Sequence, residues 1–153
     1  MRVLKYDRIN EMVANEISCE ICGFRLFNCV ASLSSSTLAF VDDSRYPGRC
    51  ILGLNSHSEC VDSLSVDEYA SYFDDLRRAV RAIRRATECD RINIYLLGNN
   101  EPHLHFHIVP RFGEFTHKSP PTHFNDAREQ TPIPPQERRS LVNQIQKELK
   151  NWT

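Results

Sequence analysis

At 153 residues, against a prior of about 150 per domain, the chain is expected to form one domain, large enough to bury a core without disulfide staples. Hydrophobic residues at 41% and charged residues at 25% lie near globular averages and exclude wholesale disorder. The 19 basic and 20 acidic side chains leave a net charge of −1, which excludes a bulk basic field for non-specific nucleic-acid binding.

The first twenty residues carry Arg2, Lys5, Asp7, Arg8, Glu11 and Glu16, a charge density that argues against a secretory signal peptide. No apolar run approaches the roughly 18 residues needed to span a bilayer. The expectation is a protein of the cytoplasm whose six cysteines stay reduced, with no membrane partner. Between Tyr6 and Ile17 the apolar residues Ile9, Met12, Val13 and Ile17 recur at helical spacing and predict a short N-terminal helix, ended by Cys19-Glu20-Ile21-Cys22-Gly23. Strand-like runs follow at 27–31, 37–42 and 49–54, with Ser34-Ser35-Ser36 and Tyr46-Pro47-Gly48 as the turns between them.

The best-marked element begins at Ser65. Ser65 and Glu68 have capping-box spacing, and Leu64 with Tyr69 occupies the staple positions. Tyr69, Tyr72, Phe73, Leu76, Val80 and Ile83 then form one stripe of a long helix. Acidic Asp67 and Glu68 at its start, and Arg77, Arg78, Arg81, Arg84 and Arg85 toward its end, suit the helix dipole, and the arginines read as a solvated face. Two strands are expected at 92–97 and 103–109. Seven of the eight prolines lie from Pro102 to Pro135, so 113–135 reads as an irregular excursion, with His117 and His123 given no role. A C-terminal helix bearing Leu141, Val142, Ile145, Leu149 and Trp152 closes the chain. Adjacent short strands around one long helix imply an α+β fold: an antiparallel sheet with the long helix packed on it and short N- and C-terminal helices.

His103-Leu104-His105-Phe106-His107-Ile108-Val109 is the most informative stretch. A strand has a side-chain period of two, so the three histidines share one face and Leu104, Phe106 and Ile108 the core face. Three imidazoles in a row offer no obvious packing benefit, but they form a polar platform able to exchange protons near neutral pH. The pattern admits a solvent-facing strand, a three-histidine catalytic zinc site, or phosphate chemistry with one imidazole as nucleophile. Cys19-x-x-Cys22 followed by Gly23 has zinc-knuckle spacing but supplies only half the ligands of a closed site. A redox pair and two ordinary thiols are the competing readings. Cys29, Cys50, Cys60 and Cys89 read as small buried apolar residues.

The alternating histidines are the signature of the histidine triad (HIT) nucleotide hydrolases and transferases, which this chain resembles from about Cys19 to Arg111. Leu38-Ala39-Phe40-Val41-Asp42, Pro47-Gly48-Arg49, His57-Ser58-Glu59, Gly98-Asn99-Asn100-Glu101-Pro102 and Val109-Pro110-Arg111 are similar to the family's flanking segments. The resemblance implies that His105 attacks the α-phosphate of an adenosine-type nucleotide, such as a dinucleoside polyphosphate, to form a nucleotidyl-histidine that water hydrolyses. It implies that His107 and Asn99 hold the phosphate and that Asp42 contacts the ribose. Arg49 stands where many members have a histidine and is assigned to substrate binding; Leu54-Asn55-Ser56 also departs from the family's usual run, which bears on the leaving group. Zinc-containing members imply a structural zinc held by Cys19, Cys22, His57 and His103. A HIT domain over 1–112, a proline-rich excursion and helix of the same domain over 113–153, and a homodimer are further expectations. A nucleotidyl transferase, a non-catalytic nucleotide-binding zinc protein and, more distantly, a three-histidine zinc hydrolase are the alternatives.

Overall fold

A computed structural model describes residues 16–113 and 122–151. The first two strands, β1 (Ile17–Ser18) and β2 (Arg25–Leu26), form a small antiparallel ribbon around the Cys19–Gly23 turn. Ile17 was expected to end a helix; it pairs instead with Leu26 and packs with Phe24 and Cys29. Residues 6–15 of the expected helix, His117 and Trp152 lie outside the described residues.

Five strands make the main sheet: β3 (Cys29–Ser32), β4 (Ser36–Phe40), β5 (Cys50–Leu54), β6 (Arg91–Tyr95) and β7 (His105–Arg111). Their order is β3-β4-β5-β7-β6, and every neighbouring pair is antiparallel. The helices are α1 (Val66–Thr87) and α2 (Pro135–Lys150). This is the expected α+β architecture. Strand ends differ by a few residues for local reasons. Asn28, at φ 55°, breaks the expected 27–31 run, and the His103 N–H donates to the Glu101 carbonyl at 2.7 Å, so the turn delays β7 to His105.

Helix α1 covers one face of the sheet. Its capping box forms as the spacing predicts, with the Ser65 hydroxyl accepting from the Glu68 N–H and the Glu68 carboxylate accepting from the Ser65 N–H. Tyr72, Ala79 and Ile83 pack against Leu38, Phe40, Leu52, Leu104, Phe106 and Ile108, joined by Val142, Ile145 and Leu149 of α2. The Tyr72 hydroxyl donates to the Leu52 carbonyl at 2.9 Å, so the polar tip of a buried ring is satisfied by the sheet itself. Among the described residues no helix is long and apolar enough to cross a membrane.

The serine run is more than a turn. Buried Asp75 of α1 accepts from the Ser34 and Ser35 N–H groups at 3.1 and 2.8 Å and from the Ser36 hydroxyl at 2.8 Å, fixing the entry into β4. Asp75→Ala strands these donors and is expected to cost about 3 kcal/mol. A urea titration showing wild-type stability would contradict that role.

Candidate functional site

The face of the sheet opposite α1 carries the histidines. In β7 the core-facing set Leu104, Phe106 and Ile108 is buried as expected, while His105 and His107 point to the other side with Gly53, Ile51 and Tyr95 as strand partners. His105 is oriented by its own strand: Nδ1–H donates to the His103 carbonyl at 2.7 Å, which leaves the lone pair on Nε2. Phe24 lies over this region, stacked on His103 with centroids 4.5 Å apart and on His105 at 5.0 Å. Gly53 permits that approach. A Cβ at position 53 would meet the Leu26 side chain at 2.8 Å and Phe24 at 3.1 Å, so both side chains would have to shift from their places beside His105.

Cys19, Cys22, His57 and His103 come together, their ligand atoms all within 4.8 Å of one another. The ribbon turn that holds the thiols closes with the Gly23 N–H donating to the Cys19 carbonyl at 2.9 Å, and Gly23 takes the left-handed φ of 78° that the turn needs. Both the distances within the set and its outer contacts bear on a tetrahedral metal. Cys19 Sγ is 3.7 Å from His57 Nδ1 and Cys22 Sγ is 3.5 Å from His103 Nδ1. Ordinary Zn–S and Zn–N bonds at tetrahedral angles give a sulfur–nitrogen separation of about 3.6 Å. Each imidazole also turns its other nitrogen to an acceptor: His103 Nε2–H to the Leu54 carbonyl at 2.8 Å, and His57 Nε2 to the Glu59 carboxylate at 3.8 Å. The His103 hydrogen bond fixes Nδ1 as that ring's metal-facing atom, while the His57–Glu59 contact is an ion-pair distance only. Burial pushes Cys19 up, but N–H bonds from Cys22 and Ile21 outweigh it and bring the thiol down to about 7. Burial holds His103 below its ordinary value, so it is neutral and ligand-ready at pH 7. These residues fit a structural metal. Of the other cysteines, Cys29, Cys50 and Cys89 are buried as expected, but Cys60 is exposed, because it lies in the loop before α1.

The far end of the histidine face was misread from sequence. His123 was given no role, yet it is buried against the triad: its ring lies 5.3 Å from His107 and stacks on Tyr95 at 5.7 Å. Arg49 donates from one amino group to Asp43 at 2.8 Å and from the other to His123 Nε2 at 2.8 Å. His123 Nδ1 pairs with the Tyr95 hydroxyl. The segment bearing His123 is irregular, as the prolines suggested, but it is stitched to the loop after β4. The Tyr46 hydroxyl donates to Asp126 at 2.7 Å, and the Ser44 N–H to the Thr131 carbonyl at 2.9 Å. Asp42 belongs to the same seam: its carboxylate accepts from the Ile133 N–H and from Arg138, each at 2.7 Å. Asn99 is exposed in the loop between β6 and β7.

Burial, with the positive charge of Arg49 nearby, pushes His107 down to about 3 and His123 to about 4. His107 is thus neutral at pH 7, and the positive charge that faces it and His123 is that of Arg49. The unfolded chain, with histidine near 6.5, binds more protons in the window between these values. Stability is therefore complete above pH 6.5 and falls as pH drops toward 4. The melting temperature should rise with pH across that window, and His123→Gln should flatten the slope; an unchanged slope in the variant would contradict the assignment.

The family model described as the HIT domain matches residues 29–114. No curated protein matches the chain. Among solved structures, a histidine triad protein from Bradyrhizobium japonicum is 23% identical, covers 79% of this chain and 89% of its own, and superposes with a TM-score of 0.69. A histidine triad (HIT) protein from Sinorhizobium meliloti 1021 is 24% identical over 78% of this chain and 87% of its own, at 0.67. A zinc-bound histidine triad family protein from Mycobacterium smegmatis is 15% identical over 80% and 83%, at 0.56. At these identities the structural likeness is one of fold.

Proposed function

This chain belongs to the HIT domain family, and on that premise we propose that it is a nucleotide phosphohydrolase acting at the α-phosphate of an adenosine-type nucleotide, such as a dinucleoside polyphosphate or a nucleotidyl conjugate. The observation that carries the reading is the orientation of His105, whose Nδ1–H is fixed on a backbone carbonyl while Nε2 keeps its lone pair. In the first step Nε2 attacks phosphorus; a P–N bond forms and the bond to the leaving oxygen breaks. Water then attacks the same phosphorus and gives its proton to solvent, the P–N bond breaks with its electron pair returning to Nε2, and the nucleoside monophosphate leaves. The covalent intermediate divides one difficult displacement into two easier ones.

His107 and Asn99 would hold the phosphate oxygens, and Arg49 would supply the charge that offsets them. Asp42 uses two of its roughly four acceptor sites on the tail, so others remain for ribose hydroxyls. Cys19, Cys22, His57 and His103 would hold zinc as a closed structural site. That metal would tie the ribbon to the start of β7 and so steady His105 two residues on. We further read 1–112 as the HIT domain, with 113–153 completing the same unit, the protein as a homodimer, and its compartment as the reducing cytoplasm.

The test is a substrate panel of dinucleoside polyphosphates and nucleotidyl conjugates read by mass spectrometry. AMP should appear as the common product. Intact substrates across the panel, with AMP bound but not produced, would contradict the hydrolase reading.

A further inference from the structure

His123 comes from the segment between β7 and α2, beyond the 29–114 family match, yet it completes the corner of the site around His107. A guanidinium only donates, so the 2.8 Å contact from Arg49 makes His123 Nε2 the acceptor. Its proton therefore sits on Nδ1, facing the Tyr95 hydroxyl. Arg49 is then gripped from two sides, by Asp43 at one amino group and by neutral His123 at the other. Two polar atoms in this corner are buried and unpartnered, Arg49 Nε and His107 Nδ1, and their residues are only 6% and 7% exposed. The Arg49 Nε–H is a donor that an anionic oxygen would satisfy, and so is His107 Nδ1 in the tautomer that carries its proton there.

We propose that His123 is a positioning residue for the phosphate: it holds the Arg49 guanidinium with Nε free for an anion and packs the His107 ring in place. The proposal rests on the nucleotide reading of the site given above. Its physical content is the acceptor at Nε2. Asp43 is already filled by Arg45, whose Nε and one amino group bind its two oxygens at 2.9 Å each. Without the His123 acceptor the second Arg49 amino group therefore loses its partner and the guanidinium can turn, which takes Nε away from the phosphate. Phe124, next in the chain and 5.9 Å from the His107 ring, closes the same corner.

Two variants separate this from simple packing. His123→Gln restores an acceptor near the Nε2 position, whereas the shorter His123→Asn places its amide near Nδ1 and brings no acceptor to Nε2. AMP and pyrophosphate affinities are measured by calorimetry on the full chain, beside melting temperature and the KM and kcat for AMP release. His123→Asn is expected to weaken AMP binding about tenfold, in the range of one charge-assisted hydrogen bond, and to raise KM more than it lowers kcat. His123→Gln should stay within about threefold of wild type, a small fraction of that hydrogen bond. Wild-type affinity in folded His123→Asn, or equal losses in both variants, would overturn the proposal. If the wild type binds AMP but releases none from any substrate, the hydrolase reading falls and the affinity series still decides His123. If the wild type binds neither AMP nor pyrophosphate, both fall.

Discussion

Replacing His105 with Asn is expected to lower AMP release by at least about 10²–10⁴, the usual cost of losing general acid–base help alone, because the covalent route goes with it. The arithmetic favours His105 over its neighbours. His103 directs Nδ1 to Cys22 and Nε2 to a carbonyl, so neither nitrogen is left for attack. His107 is held neutral in a corner of Tyr95, His123 and Phe124, placed to grip phosphate oxygens. His105 sits between them with one nitrogen tied and one kept. The opposite face, with Leu104, Phe106 and Ile108, is untouched by the change, so fold, metal content and AMP binding should survive. Steady-state AMP release by the purified variant within roughly tenfold of wild type, well short of the expected loss, would mean that another group attacks.

The second large effect is at the Cys–His cluster. Cys22→Ser is expected to lower metal content from about one zinc per chain and to lower the melting temperature with it, since structural zinc in small finger peptides binds with about 10–16 kcal/mol. The cluster joins three parts distant in sequence: the ribbon turn, the loop after β5 and the approach to β7. Losing it should loosen Phe24, which stacks on both His103 and His105, so turnover falls as well. Elemental analysis beside a thermal melt checks the pairing of the two losses. Protein purified without chelators that holds no zinc would contradict the assignment.

What was legible in the sequence was whatever a local period or spacing encodes. The alternation of His103 to Val109 separated Leu104, Phe106 and Ile108, which join the core with α1, from the histidines on the other face, because a strand's period of two needs no tertiary information. The Ser65–Glu68 spacing located the start of α1 for the same reason, since a capping box is closed within one turn. Strand ends were less legible, being decided by a left-handed residue at Asn28 and a turn bond at His103. The gathering of Cys19, Cys22, His57 and His103 came from a family resemblance, and their mutual distances fit that grouping. His123 was not legible at all. It sits in a proline-rich stretch with no period, and its place is fixed by contacts to Arg49 and Tyr95 that lie 74 and 28 residues away. Only the structure shows that Arg49 and Asp43 are buried charges, and a second partner for Arg49 has to come from elsewhere in the chain.

The central claim is the covalent bond to His105, and trapping it is the most direct measurement. Wild-type protein is mixed with a dinucleoside polyphosphate, denatured within one turnover by rapid quench, and digested for mass spectrometry. The account predicts an adenylyl group on the peptide containing His105, absent from His105→Asn and lost on the timescale of AMP release. AMP formed at full rate with no adduct on any histidine, or an adduct that persists in His105→Asn, would contradict it.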